Sequence, residues 1–211
     1  MMPAMRFLAM TCAALPLSIA LLSAALPAHA QEPSPAKDKE KIVEQQDAHL
    51  SQQQHLDQLF AQLKRERDAD KADNIADEIR GEWNDSGSAT VNLLMQWTDK
   101  AIQDKRNAAA LDFLDQAIAL KPGYAESWNR RATLNYANGA MRKSMSDIEH
   151  VLDIEPRHFG ALSGMAAILS ESGNDQLALK AWERFLDIYP ANRNAQEQLN
   201  TLAEKLAGSR T

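Results

Sequence analysis

Side chains able to do chemistry are sparse and scattered in this chain. Downstream of residue 30 the histidines are His49, His55, His150 and His158, and none stands at metal-ligand spacing from a cysteine or carboxylate. They read as solvent-facing helix positions. Carboxylates recur in pairs such as Asp112 and Asp115, which one helical turn would place on a shared polar face, a solubilising arrangement more than a proton-transferring one. There is no G-x-S-x-G elbow, no P-loop and no G-x-G-x-x-G, so the usual nucleophile and phosphate devices are missing. We therefore expect no enzyme, no metal and no cofactor. The net charge of −6 argues against a nucleic-acid partner and against broad attachment to anionic lipid. Local basic pairs occur at Lys64-Arg65, Arg130-Arg131 and Arg142-Lys143, and the first and third read as solvated helix faces.

What remains is binding chemistry, and the elements that would position it repeat. Pro122, Pro156 and Pro190 are each 34 residues apart, and no other proline follows Pro35. Each ends an apolar run (Leu120-Lys121, Ile154-Glu155, Ile188-Tyr189), where proline blocks helix continuation and biases its predecessor away from the α region. Aligned on these prolines, the chain divides into rows 91–124, 125–158 and 159–192. Twelve residues before each proline stands a small residue (Ala110, Ser144, Ala178), and eight before it a large apolar one (Leu114, Ile148, Trp182), one turn apart on one helical face. In the first helix of each row the fourth position is Leu94, Trp128 or Leu162, and the eighth is Thr98, Ala132 or Ala166, small enough for close helix approach. Gly139 and Gly173 supply a turn between helices, where tolerance of positive φ is useful; Lys105 holds that place in the first row, so its turn is less well specified. Equal two-helix units at this period predict an all-α solenoid of stacked hairpins.

Trp128, Ala132, Gly139, Ala178 and the three prolines together resemble the tetratricopeptide repeat (TPR) family, over residues 91–192. Arg131 stands where the family prefers Leu, Ala101 where it prefers an aromatic, and Lys105 where it prefers Gly. The resemblance implies that first helices line a concave groove. Positions two, five, six, nine and twelve would face it: Asn92, Met95, Gln96, Asp99 and Ile102; Glu126, Asn129, Arg130, Thr133 and Tyr136; Gly160, Ser163, Gly164, Ala167 and Ser170. Amide and guanidinium groups there would bond an extended backbone, Met95 and Tyr136 would give apolar contact, and the small third row would leave room for a ligand's side chains. The resemblance also implies buried sites for Trp97, Trp128 and Trp182. A family clamp for terminal carboxylates needs a fuller set than Asn129 and Arg130, and Asp99 would repel such a group, so chaperone-tail recognition is not expected.

The flanks complete the organisation. Leu56, Leu59, Phe60 and Leu63 form one amphipathic stripe and Ala72, Ile75, Ala76, Ile79 and Trp83 another, across a charged turn at 68–71; residues 55–88 thus read as a degenerate fourth hairpin continuing the stack. Residues 193–207, with Leu199, Leu202, Ala203 and Leu206 on one stripe, read as a capping helix. Residues 31–54 are rich in charge, Gln and Pro and read as a flexible linker, with 39–54 able to form a marginal helix. Residues 1–30 carry Arg6, an apolar run and the small-x-small pattern of Ala28-His29-Ala30, predicting a signal peptide cleaved after Ala30. The only cysteine, Cys12, would leave with it, so packing and not disulfides must stabilise the rest. The expected protein is a periplasmic scaffold of a Gram-negative bacterium that grips a peptide or protein segment and supports the cell envelope, without stable membrane insertion. The alternative is a glycan- or peptidoglycan-binding accessory to a cell-wall enzyme, using Trp83, Trp97 and Tyr136.

Overall fold

The computed structural model describes residues 51–208. The expected signal peptide (1–30) and the linker up to residue 50 lie outside the described residues. Residues 51–54, assigned above to the linker, belong to a helix. Among the described residues there are nine helices and no strand: α1 (residues 51–63), α2 (Ala69–Asn84), α3 (Ala89–Gln103), α4 (Asn107–Leu120), α5 (Ala125–Ala137), α6 (Met141–Ile154), α7 (Phe159–Glu171), α8 (Asp175–Ile188) and α9 (Arg193–Gly208). None of the described helices is long and apolar enough to cross a membrane.

The repeat logic explains the three central hairpins. α3 packs on α4, α5 on α6 and α7 on α8, and successive pairs join through α4 with α5 and α6 with α7. The small positions make these contacts close: Thr98, Ala132, Ala166, Ala110, Ser144 and Ala178 are all buried. Ser144 donates its hydroxyl to the Ala132 carbonyl at 2.8 Å and Thr98 to the Leu94 carbonyl at 2.9 Å, so both polar members are satisfied. Each second helix ends at Leu120, Ile154 or Ile188, two residues short of its proline. The expected looseness of the first turn is not found. Lys105 adopts φ +57°, beside +74° at Gly139 and +73° at Gly173. All three turns close the same way: Arg106, Ala140 and Asn174 donate their backbone N–H to the carbonyls of Ala101, Asn135 and Leu169, each at 2.8 Å. A lysine held left-handed is strained, and packing of the surrounding helices imposes the geometry that glycine adopts freely.

The N-terminal hairpin departs from expectation. It does not continue the stack before α3; its apolar stripes bury against the last repeat. Leu56, Leu59, Phe60, Leu63, Ala72, Ala76 and Ile79 share one core cluster with Phe159, Leu162, Phe185, Tyr189, Ala191 and Ala195, and no residue of 91–124 belongs to it. The reason lies in three repeat positions. The first, twenty-seventh and thirty-first residues are Val91, Ala117 and Lys121 in the first row, Ala125, Val151 and Glu155 in the second, and Phe159, Phe185 and Tyr189 in the third. Only the third row offers an aromatic floor, its rings 5.8–6.2 Å apart. The hairpin is fastened at its margins by Arg157 donating to Asp57 at 2.7 Å, by Arg80 over the Phe159 ring at 5.1 Å, by Arg157 over Phe60 at 4.1 Å, and by the Tyr189 hydroxyl on Asp73. Burial and the Asp73 hydrogen bond push the Tyr189 phenol up to about 12.

Because the hairpin sits elsewhere, the outer face of α3 stays uncovered. Leu93 and Trp97 are 42% and 48% exposed, against the expected burial of Trp97, while the counterparts of Leu93, Ser127 and Ala161, are buried and those of Trp97, Arg131 and Met165, are half-buried. Trp128 and Trp182 are half-buried. At the other end α9 packs on α8 as the expected cap; Ala195 and Leu202 are buried, whereas Ala203 is exposed.

Candidate functional site

The concave positions divide into a closed end and an open recess. At the closed end, Arg130 on α5 is spent inside the protein. Its guanidinium donates to Glu126 at 3.1 Å, to Asn84 at the end of α2 at 2.8 Å, and to Asp99 on α3. This corrects the expectation that Arg130 faces a ligand: it bridges α2, α3 and α5. Glu126 is tied as well, accepting from Asn129 at 3.0 Å and from His158 at 3.3 Å. Burial opposes ionisation of Glu126, but the His158 hydrogen bond and the Arg130 charge outweigh it and hold the carboxyl below its usual range.

His158 corrects the solvent-facing reading of the histidines. It is 2% exposed, lies beneath Trp83 with ring centroids 4.1 Å apart, and forms the N-cap of α7. Its Nδ1 accepts the Ala161 N–H at 3.0 Å, so the proton sits on Nε2, which donates to Glu126. His55 and His150 are exposed, as expected; His55 contacts Glu82 at 3.0 Å and His150 lies 4.2 Å from Trp128. His49 lies outside the described residues. Among the described residues no cluster of three His, Cys, Asp or Glu side chains is placed to hold a metal ion.

The first row contributes little to a groove. Met95 is 4% exposed and belongs to the core between α3 and α4, so its expected ligand contact is withdrawn. Asn92 braces the turn before α3, accepting from the Ser86 N–H at 3.0 Å and donating to Asp85 at 2.9 Å. Gln96 is exposed and Asp99 is held by Arg130.

The second and third rows form the open recess, about 180 Å³, between α5 and α7. It brings together Asn129, Thr133, Tyr136, Gly160, Ser163, Gly164 and Ala167 over a floor of Ala132, Ser144, Ile148, Ala161 and Ile168. Glycine is what keeps it open. A Cβ on Gly164 would stand 3.3 Å from the Ile148 Cδ1, and one on Gly160 would stand 3.2 Å from the His158 ring. Thr133 and Ser163 donate to the carbonyls of Asn129 and Gly160 at 3.0 and 2.8 Å, which leaves their oxygens able to accept. Tyr136 donates its hydroxyl to Glu171 at the end of α7, and that bond raises the Tyr136 phenol. Ile102 and Ser170 do not line the recess.

Two residues were missed. Glu171 sits one position beyond the last groove position considered, and nothing local distinguishes it from a solvated acid. Arg131, read above as half of a basic pair and a departure from the family pattern, grips the buried Asp147 through contacts of 2.6 and 3.1 Å, donates to Asp115 at 2.7 Å, and lies 4.7 Å from the Trp128 ring centroid. Asn135 completes this network with a 2.9 Å bond to Asp147. It ties α4, α5 and α6 together, so the substitution for Leu is compensated by charge.

Over 210 residues, the whole of both chains, the sequence is 73% identical to a TPR repeat-containing protein of Rhizobium etli. The first TPR of Spaghetti (RPAP3), solved bound to the HSP90 peptide SRMEEVD, is similar with a TM-score of 0.54 at 20% identity, covering 57% of this chain and 95% of that one. The Sgt2 TPR domain from Aspergillus fumigatus gives a TM-score of 0.53 at 19% identity, covering 58% of this chain and 83% of that one. Such structural likenesses are likenesses of fold. No family model matches the chain. On the full-length identity and the stacked hairpins together, this chain belongs to the tetratricopeptide repeat proteins.

Proposed function

We propose that this protein is a non-catalytic interaction module that holds an extended peptide, or a flexible segment of another protein, in the recess between α5 and α7. The observation that carries this reading is the recess itself: an apolar floor kept open by Gly160 and Gly164, edged by the hydroxyl and amide groups of Thr133, Ser163 and Asn129. Backbone-reading groups beside a side-chain-sized hole suit a peptide. A TPR neighbour solved with a bound peptide supports the same use of the fold. Arg6, the apolar run and Ala28-His29-Ala30 support export, and we place the working site in the periplasm, in support of the cell envelope.

A photoreactive residue at Thr133, in living cells, should crosslink one discrete protein, while the same residue at the exposed Gln198 of α9 should not. Equal capture from both positions would end the recess reading. Export is judged separately, by whether osmotic shock releases a product starting at Gln31. A glycan-binding reading is favoured by one observation, the exposed Trp97 beside Phe113 at 5.6 Å. It requires Trp97 fluorescence to respond to muropeptides, and an unmoved spectrum excludes it.

A further inference from the structure

The chemistry of the segment that the recess would take can be narrowed from its volume and its charge. A dry cavity of roughly 150 Å³ accommodates a benzene ring, so the 180 Å³ here suits one leucine, methionine or phenylalanine side chain. Its floor, Ile148 and Ile168 among alanines, offers that side chain apolar contact. Charge then sets the flanks. No lining residue is basic. The Arg130 guanidinium is neutralised by Asp99 and Glu126, which leaves that trio one negative charge in excess, and the His158 Nε2 contacts Glu126 beside it. At the opposite end, the exposed Glu171 carboxylate meets the uncharged phenol of Tyr136. Both ends of the recess are therefore negative. An acidic segment would be repelled at each, whereas a cation beside Glu171 would be attracted to a carboxylate whose bond within the recess is to a neutral phenol.

Resting on the interaction-module reading above, we propose that the recess binds a segment with one large apolar anchor residue close to a lysine or arginine, the anchor seated over Ile148 and the cation paired with Glu171. Such a ligand is opposite in charge to the SRMEEVD peptide held by the structural neighbour.

The test uses the full chain without its first thirty residues and two capped peptides. Both have a Gly-Ser backbone and a central leucine; one carries a lysine on each side of the leucine and the other a glutamate. Amide shifts are followed by NMR at millimolar peptide and low salt. The lysine peptide should move the Thr133, Gly164 and Glu171 resonances with at least tenfold higher affinity than the glutamate peptide, and added salt should weaken it. Glu171→Lys should remove or invert that preference, and replacing the leucine with serine should abolish the shifts. Gly164→Leu should fill the recess and prevent binding; Ala167→Leu does the same job should the first variant fold poorly. Equal binding of both peptides at the recess would overturn the charge inference while leaving the interaction module intact. Failure of the lysine peptide to move these resonances would overturn it too, and the Thr133 crosslinking result then decides the module on its own.

Discussion

The closed and open ends of the concave face are built from the same repeat positions yet do opposite things. At the closed end, Arg130 at position six reaches Asn84 on α2, Glu126 at position two is held by Arg130 and His158, and His158 and Phe159 beside them pack on Trp83 of α2, so nothing is left for a ligand. At the open end, small residues at equivalent places (Gly160, Ser163, Gly164, Ala167) satisfy themselves locally and leave space. In this fold a strong side chain in the groove is not by itself a binding residue; it must also be unspent. Arg130 looked like the best ligand contact and is the most heavily committed group on the face.

That contrast can be broken first at Phe159, which touches Trp83, Arg80, Phe185 and Tyr189. Phe159→Ala should cost about 3–5 kcal/mol in urea unfolding and accelerate hydrogen exchange throughout α1 and α2, since it empties the floor on which they sit. Next comes Arg130→Ala. It takes the cation from Glu126 and removes the link among three helices, so the melting free energy should fall by about 1.5–3 kcal/mol. A silent substitution there would restore Arg130 to the ligand-facing set. Glu126→Gln sharpens the point through pH. The folded carboxyl lies below its ordinary value of 4.5, so its stabilisation is complete above that value and is lost as pH falls through the folded one. The acid limb of the stability profile should therefore be shallower in the variant than in the native protein, and parallel limbs would refute the assigned network. Smallest of all, Thr133→Ala at the open end should change stability by less than about 0.5 kcal/mol.

The helical repeats were legible because their determinants are local and recur: proline at the end of a helix, a small residue one turn from a large one, glycine at a left-handed turn. The Lys105 turn was the exception: a lysine there reads as a looser turn, and the neighbouring helices impose the tight one. The seat of α1 and α2 was not legible in the same way. Their stripes revealed that they were amphipathic helices, and stacking on α3 was the default for a fourth hairpin. The deciding signal was Phe159, Phe185 and Tyr189, three aromatic exceptions that gain meaning only when compared across rows. The groove positions of the third row were readable from their size. Arg130, Met95 and His158 were not, because each is defined by partners far along the chain, such as Asn84 to Arg130 across 46 residues.

The clasp between the first and last hairpins of the described residues changes how the protein should come apart. Arrays whose units touch only their neighbours unzip from a terminus, one unit at a time. Here Asp57 meets Arg157 across 100 residues and Asp73 meets Tyr189 across 116. Separating the hairpin of α1 and α2 from that of α7 and α8 must undo this one aromatic seat, so the two hairpins should denature as a single unit. Refolding in turn waits on a long-range encounter, slower than its purely helical make-up would suggest.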